Sequence, residues 1–116
     1  MILELLVPQI DGRIDRVKID KLEISVGDSV AVSDSLLEFT AGLDYADMHG
    51  CPPTTRFRMN SGETAYVRQI SVQEDARPYS GEVLAILSTE PDEPINSEER
   101  RKARHSLAAI FSSSAW

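Results

Sequence analysis

Val26-Gly27-Asp28-Ser29-Val30-Ala31-Val32-Ser33-Asp34-Ser35-Leu36-Leu37-Glu38-Phe39-Thr40-Ala41-Gly42-Leu43 is the stretch on which the reading of this chain turns. Glycine adopts positive φ at low cost, and Asp and Ser bond to nearby backbone, so Gly27-Asp28 and Ser33-Asp34 read as tight turns. Between them Val30 and Val32 alternate with polar residues, and Leu36-Leu37-Glu38-Phe39 follows the second turn. A weaker copy of the arrangement recurs half a chain later. Short strands punctuated by such turns predict an all-β protein.

Moving outward, the opening Met1 to Val7 reads as a first strand, because it is too short for a signal peptide, lacks a basic lead and carries Glu4. Apolar residues alternate at Leu22, Ile24 and Val26, at Phe57 and Met59, and at Ile70 and Val72. Turn clusters lie at Pro8 to Gly12, Gly50 to Pro53, Asn60-Ser61-Gly62 and Pro78 to Gly81. Past Ser88 the character changes. Residues 89–96 read as a Pro-punctuated linker, and Asn96 with Glu99 resembles a capping box opening an amphipathic helix over 97–111. Ala103, Leu107, Ile110 and Phe111 share one face of that expected helix, and 112–116 form a short tail.

With 116 residues the chain is expected to form one β domain over 1–88 plus this C-terminal extension. No apolar run reaches the roughly 18 residues of a membrane-spanning helix, so no membrane partner is expected. A single cysteine, Cys51, excludes an intrachain disulfide and fits a reducing, cytoplasmic compartment. Net charge is −7, and residues 1–88 hold 14 acids against 8 bases. Nucleic-acid binding needs clustered Lys and Arg, so no nucleic acid is expected either.

The two halves align sparsely. Gly12, Ile14 and Val17 match Gly62, Thr64 and Val67 at an offset of 50; Val26 matches Val72 at 46; Ser33 to Leu37 match Ser80 to Leu84 at 47. On these offsets the first copy holds four extra residues.

At Pro8, Gly12, Gly27-Asp28, Val30, Asp34, Leu36-Leu37 and Phe39, and again at Gly62, Val67, Ile70, Val72, Gly81 and Val83-Leu84, the chain resembles the biotinyl/lipoyl carrier-domain family. The resemblance covers about residues 4–88. It implies a flattened β-barrel or sandwich of two quasi-symmetric halves, with a cofactor-bearing lysine on an exposed hairpin between them. Counting on from Phe39, that position falls at Leu43, within Ala41-Gly42-Leu43-Asp44-Tyr45. None of these is lysine. The chain has only Lys18, Lys21 and Lys102, so no primary amine lies at the hairpin for amide attachment, and no cofactor is expected. The hairpin is also enlarged, with a loop over 43–53.

That loop holds the remaining candidate chemistry. His49 and Cys51 could pair as metal donors or as base and thiol. Zinc sites require four convergent ligands, and cysteine nucleophiles require an orienter and an oxyanion hole; neither set is visible here. Leu43, Tyr45 and Met48 are candidates for a partner-binding loop, as are Leu107, Ile110 and Phe111 on the tail. The expectation is therefore a non-enzymatic, carrier-like module that binds a protein partner or self-associates. Two alternatives remain: a lipoyl or biotin carrier modified on Lys18 or Lys21, and a small metal or redox protein built on His49 and Cys51.

Overall fold

Four tight turns set the course of the backbone. In each, the N–H of the fourth residue donates to the C=O of the first: Asp28 to Ser25 (3.0 Å), Asp34 to Ala31 (3.0 Å), Ala76 to Gln73 (3.2 Å) and Glu82 to Tyr79 (3.0 Å). The third residue of each has positive φ: Gly27 (99°), Ser33 (78°), Asp75 (71°) and Gly81 (89°). Two of the four are not glycine. Polar side chains able to bond locally tolerate this region better than most. The first two turns are also braced by an aspartate, since Asp28 Oδ2 accepts from the Ser25 N–H and Asp34 Oδ2 from the Ala31 N–H, both at 2.8 Å.

A computed structural model of the chain describes residues 1–10, 16–42, 54–96 and 98–113. Its strands are β1 Ile2–Leu6, β2 Val17–Leu22, β3 Ser29–Val30, β4 Ser35–Gly42, β5 Thr54–Ser61, β6 Ala65–Ile70, β7 Val83–Ser88, β8 Arg100–Lys102 and β9 His105–Ser113. They form two sheets, ordered β3-β6-β7-β1-β8 and β2-β4-β5-β9. The sheets are not closed into a barrel; they face each other as a sandwich around one core. Leu3 and Leu5 of β1 and Leu84 and Leu87 of β7 meet Leu37 and Phe39 of β4 and Met59 of β5 there. Phe39 is fully buried and stacks on Phe57 with ring centroids 5.5 Å apart. The alternation read at Phe57 and Met59 is realised in β5, and the opening segment is indeed a strand.

The internal repeat is present, at one spacing from β2 onward. Between β2 and β4 the partners are Lys18 with Thr40, Ile19 with Phe39 and Lys21 with Glu38, with an irregularity after Ile19. Between β6 and β7 they are Tyr66 with Ser88, Val67 with Leu87 and Gln69 with Ile86, with the same irregularity after Val67. Every residue of the second set lies 48 positions after its counterpart in the first. The loop bonds obey the same rule: Gly27 N–H to Val67 C=O recurs as Asp75 N–H to Ile19 C=O, and Glu23 N–H to Leu36 C=O as Ser71 N–H to Leu84 C=O. Strand β1 corresponds to β5 at 54 positions, since Leu3 pairs with Leu87 as Phe57 pairs with Phe39. The first copy is thus longer by six residues ahead of β2, not four. The sequence-derived offsets of 50, 46 and 47 each miss by one or two, because sparse apolar matches can slide along a strand whereas hydrogen-bond register cannot.

A twofold-like exchange follows from this spacing. Each sheet contains strands of both copies, so neither half has a core of its own. Among the described residues, the second copy lacks a strand equivalent to β3: residues 75–79 run beside β2, with Ile19 N–H donating to Ala76 C=O (2.9 Å) and Val17 N–H to Pro78 C=O (3.1 Å), but only Arg16 and Tyr79 form a bridge. Val26 and Val32, expected on strands, sit at the second positions of their turns and are 63% and 60% exposed.

The helix expected over 97–111 is not formed. Its residues build β8, parallel to β1 (Ile2 with Arg100, Glu4 with Lys102), and β9, antiparallel to β5 (Ser61 with His105, Met59 with Leu107, Thr54 with Ser113). The i, i+4, i+7 spacing of Ala103, Leu107 and Ile110 is compatible with a helix, but β1 and β5 would then leave open edges on the same flank. Pairing the tail with both strands satisfies those backbone groups, and this tertiary demand outweighs a weak helical preference.

Candidate functional site

The hairpin of β4 and β5 closes with Ala41 opposite Thr55 and Gly42 opposite Thr54. Residues 43–53 connect the two, so Leu43, Tyr45, Met48, His49 and Cys51 lie outside the described residues. Under the twofold-like exchange this hairpin corresponds to the place where β1 begins and β7 ends, because Thr40 with Arg56 matches Ser88 with Ile2. Lys18 stands opposite Thr40, near the Gly42–Thr54 closure, and Lys21 opposite Glu38, further from it; their Nζ atoms lie 3.8 Å from Asp75 Oδ1 and 3.3 Å from Glu23 Oε1. Lys102 lies on β8 and, with His105, Pro8 and Gly81, lines a hollow of about 320 Å³. Among the described residues no three His, Cys, Asp or Glu are grouped to hold a metal ion, and no helix is long and apolar enough to cross a membrane.

Behind the hairpin, the outer face of β2, β4 and β5 carries a charged network that local sequence did not announce. Glu38 receives Arg56 Nη2 at 2.8 Å and Arg58 Nη2 at 3.3 Å, while Asp20 accepts the Thr40 hydroxyl at 2.5 Å and lies 3.8 Å from Arg56 Nε. The Glu38 side chain is only 9% exposed, so its two arginines offset the desolvation of its charge. Arg58 stands directly opposite Glu38, an alternation legible only once β4 and β5 are known to pair.

The tail flank is held by a second cluster that sequence reasoning missed. Glu63, just after β5, accepts two bonds from the Arg101 guanidinium, one of them at 2.9 Å, and one from the Arg104 N–H at 2.8 Å. The Arg101 bonds, ahead of the Arg104 amide, hold the Glu63 carboxyl below its ordinary value despite partial burial. Beside it the Gly62 N–H donates to the Arg104 C=O at 2.8 Å. A Cβ on Gly62 would lie 2.9 Å from the Arg104 carbonyl carbon, so glycine is what lets the tail approach. Residues 38 positions apart give no local signal.

Of the tail residues singled out from sequence, Leu107 and Ile110 are on β9 and are 36% and 38% exposed, while Phe111 stands in register with Arg56. They lie along a sheet edge, not on a helix face. No family model matches the chain, and no curated protein matches it.

Proposed function

We propose that this chain is a lipoyl/biotinyl-like module without a covalently attached cofactor, acting in the cytoplasm as a non-catalytic protein-binding or assembly domain. One observation carries the reading. The 48-residue exchange of hydrogen bonds supports a carrier-like duplication whose inter-copy hairpin spans 43–53, and no lysine occurs between Lys21 and Lys102. An amide-linked prosthetic group needs an amine at the hairpin tip, and the amines present sit instead on β2 and β8. Lys18 and Lys21 are exposed, at 45% and 57%, but stand within a strand paired with β4 and not at a hairpin tip. Intact mass after co-production with lipoate or biotin ligase tests this. An unmodified chain is expected; addition of lipoyl or biotinyl mass would overturn the proposal in favour of the carrier alternative.

A further inference from the structure

The two sheets present four outer edges, and three are blunted. Strand β3 is two residues long. The flank of β2 is lined by residues 75–79, and β8 is the three charged residues Arg100-Arg101-Lys102. Short length, covering segments and charge are the usual means by which edge strands avoid pairing with other chains. The fourth edge, β9, has none of them among the described residues. It is nine residues long, ends the order β2-β4-β5-β9, and among the described residues no strand pairs with its outer side.

Its composition is equally distinct. Residues 106–113 read Ser-Leu-Ala-Ala-Ile-Phe-Ser-Ser, with no charge and no proline, in a chain of net charge −7. Residues 106–110 are all exposed. Nine residues at the rise of an extended chain give an edge of about 30 Å, with N–H and C=O groups directed outward at alternate residues.

We propose that β9 pairs antiparallel with β9 of a second copy, joining the two four-stranded sheets into one of eight strands. The proposal rests on the assembly reading above and names the partner. A second copy presents the same uncharged row and so meets no like charge there: two molecules of net charge −7 repel over most of their surfaces, whereas antiparallel pairing within 106–113 opposes neutral residues only. An isologous twofold also demands antiparallel pairing of identical strands, the arrangement β9 already makes with β5. Arg58, opposite Ala108, is neutralised within its own sheet by Glu38, so no unpaired like charge is carried to the seam on that row.

Sedimentation equilibrium of the full chain over a broad concentration range tests the pairing, alongside Ala108→Lys and Ile110→Lys variants. A wild-type dimer is expected. Each variant places two lysines across the twofold and should weaken the dimer by about tenfold or more with an unchanged β-sheet spectrum. Hydrogen exchange gives a second measurement independent of those variants: alternate β9 amides should gain protection as protein concentration rises, while β3 and β8 do not. A wild-type chain that stays monomeric throughout overturns the proposal, as does a dimer that both variants leave intact or β9 protection only when a foreign extended peptide is added. Failure here is separable from failure of the carrier-like reading, because a monomer says nothing of cofactor mass and cofactor uptake says nothing of the β9 edge.

Discussion

The duplicated body, β1 to β7, and the tail, β8 and β9, are both β-structure, yet they are held by different forces. In the body, strands of the two copies interleave, and Leu3, Leu37, Phe39, Met59 and Leu87 share one interior. The tail adds to the rims of both sheets through backbone bonds, the Glu63–Arg101 pair and the close approach at Gly62, while its residues 106–110 remain exposed. Burial makes the body cooperative. A strand attached mainly by edge hydrogen bonds, each contributing about 1 kcal/mol net, can open by itself.

The largest test of this contrast is Phe39→Ala, which removes a fully buried ring stacked on Phe57. A loss of about 3–5 kcal/mol is expected, seen as a lowered denaturation midpoint with body and tail unfolding together. Gly62→Ala should do the opposite in kind. Its Cβ meets Arg104 backbone, so the tail must shift at a cost of about 1–3 kcal/mol. Exchange of β9 amides should quicken while β4 and β7 stay protected; equal acceleration in all strands would break the distinction.

A smaller effect is expected of Glu63→Gln, about 1–2 kcal/mol in tail attachment, since Arg101 is partly exposed and its charge is screened. The same contact has a pH signature. The folded carboxyl titrates below its ordinary value of 4.5, so its stabilisation is fully present above that value and is lost as pH falls through the depressed one. On acidification β9 protection should fall before that of β4, and Glu63→Gln should flatten the difference. Smallest of all, Asp34→Ala removes the 2.8 Å brace on the Ala31 N–H and should cost about 1 kcal/mol, whereas Glu82→Ala at the equivalent turn of the second copy should cost less. Equal losses would show that the brace contributes nothing.

Local sequence was sufficient for the β class, for the turns at Gly27-Asp28 and Ser33-Asp34 and for the duplication. Turn chemistry and period-two alternation act between neighbours. Three things needed tertiary structure. The 48-residue spacing from β2 onward emerged only from inter-strand register, because a few matched valines and glycines cannot choose between adjacent alignments. Glu63 with Arg101, and Glu38 with Arg56 and Arg58, join residues distant in the chain. The tail shows the reason most clearly. Ala103, Leu107 and Ile110 fit a helix by spacing, but the open edges of β1 and β5 made strands of the segment, and a chain cannot state locally which of its distant backbone groups will lack partners.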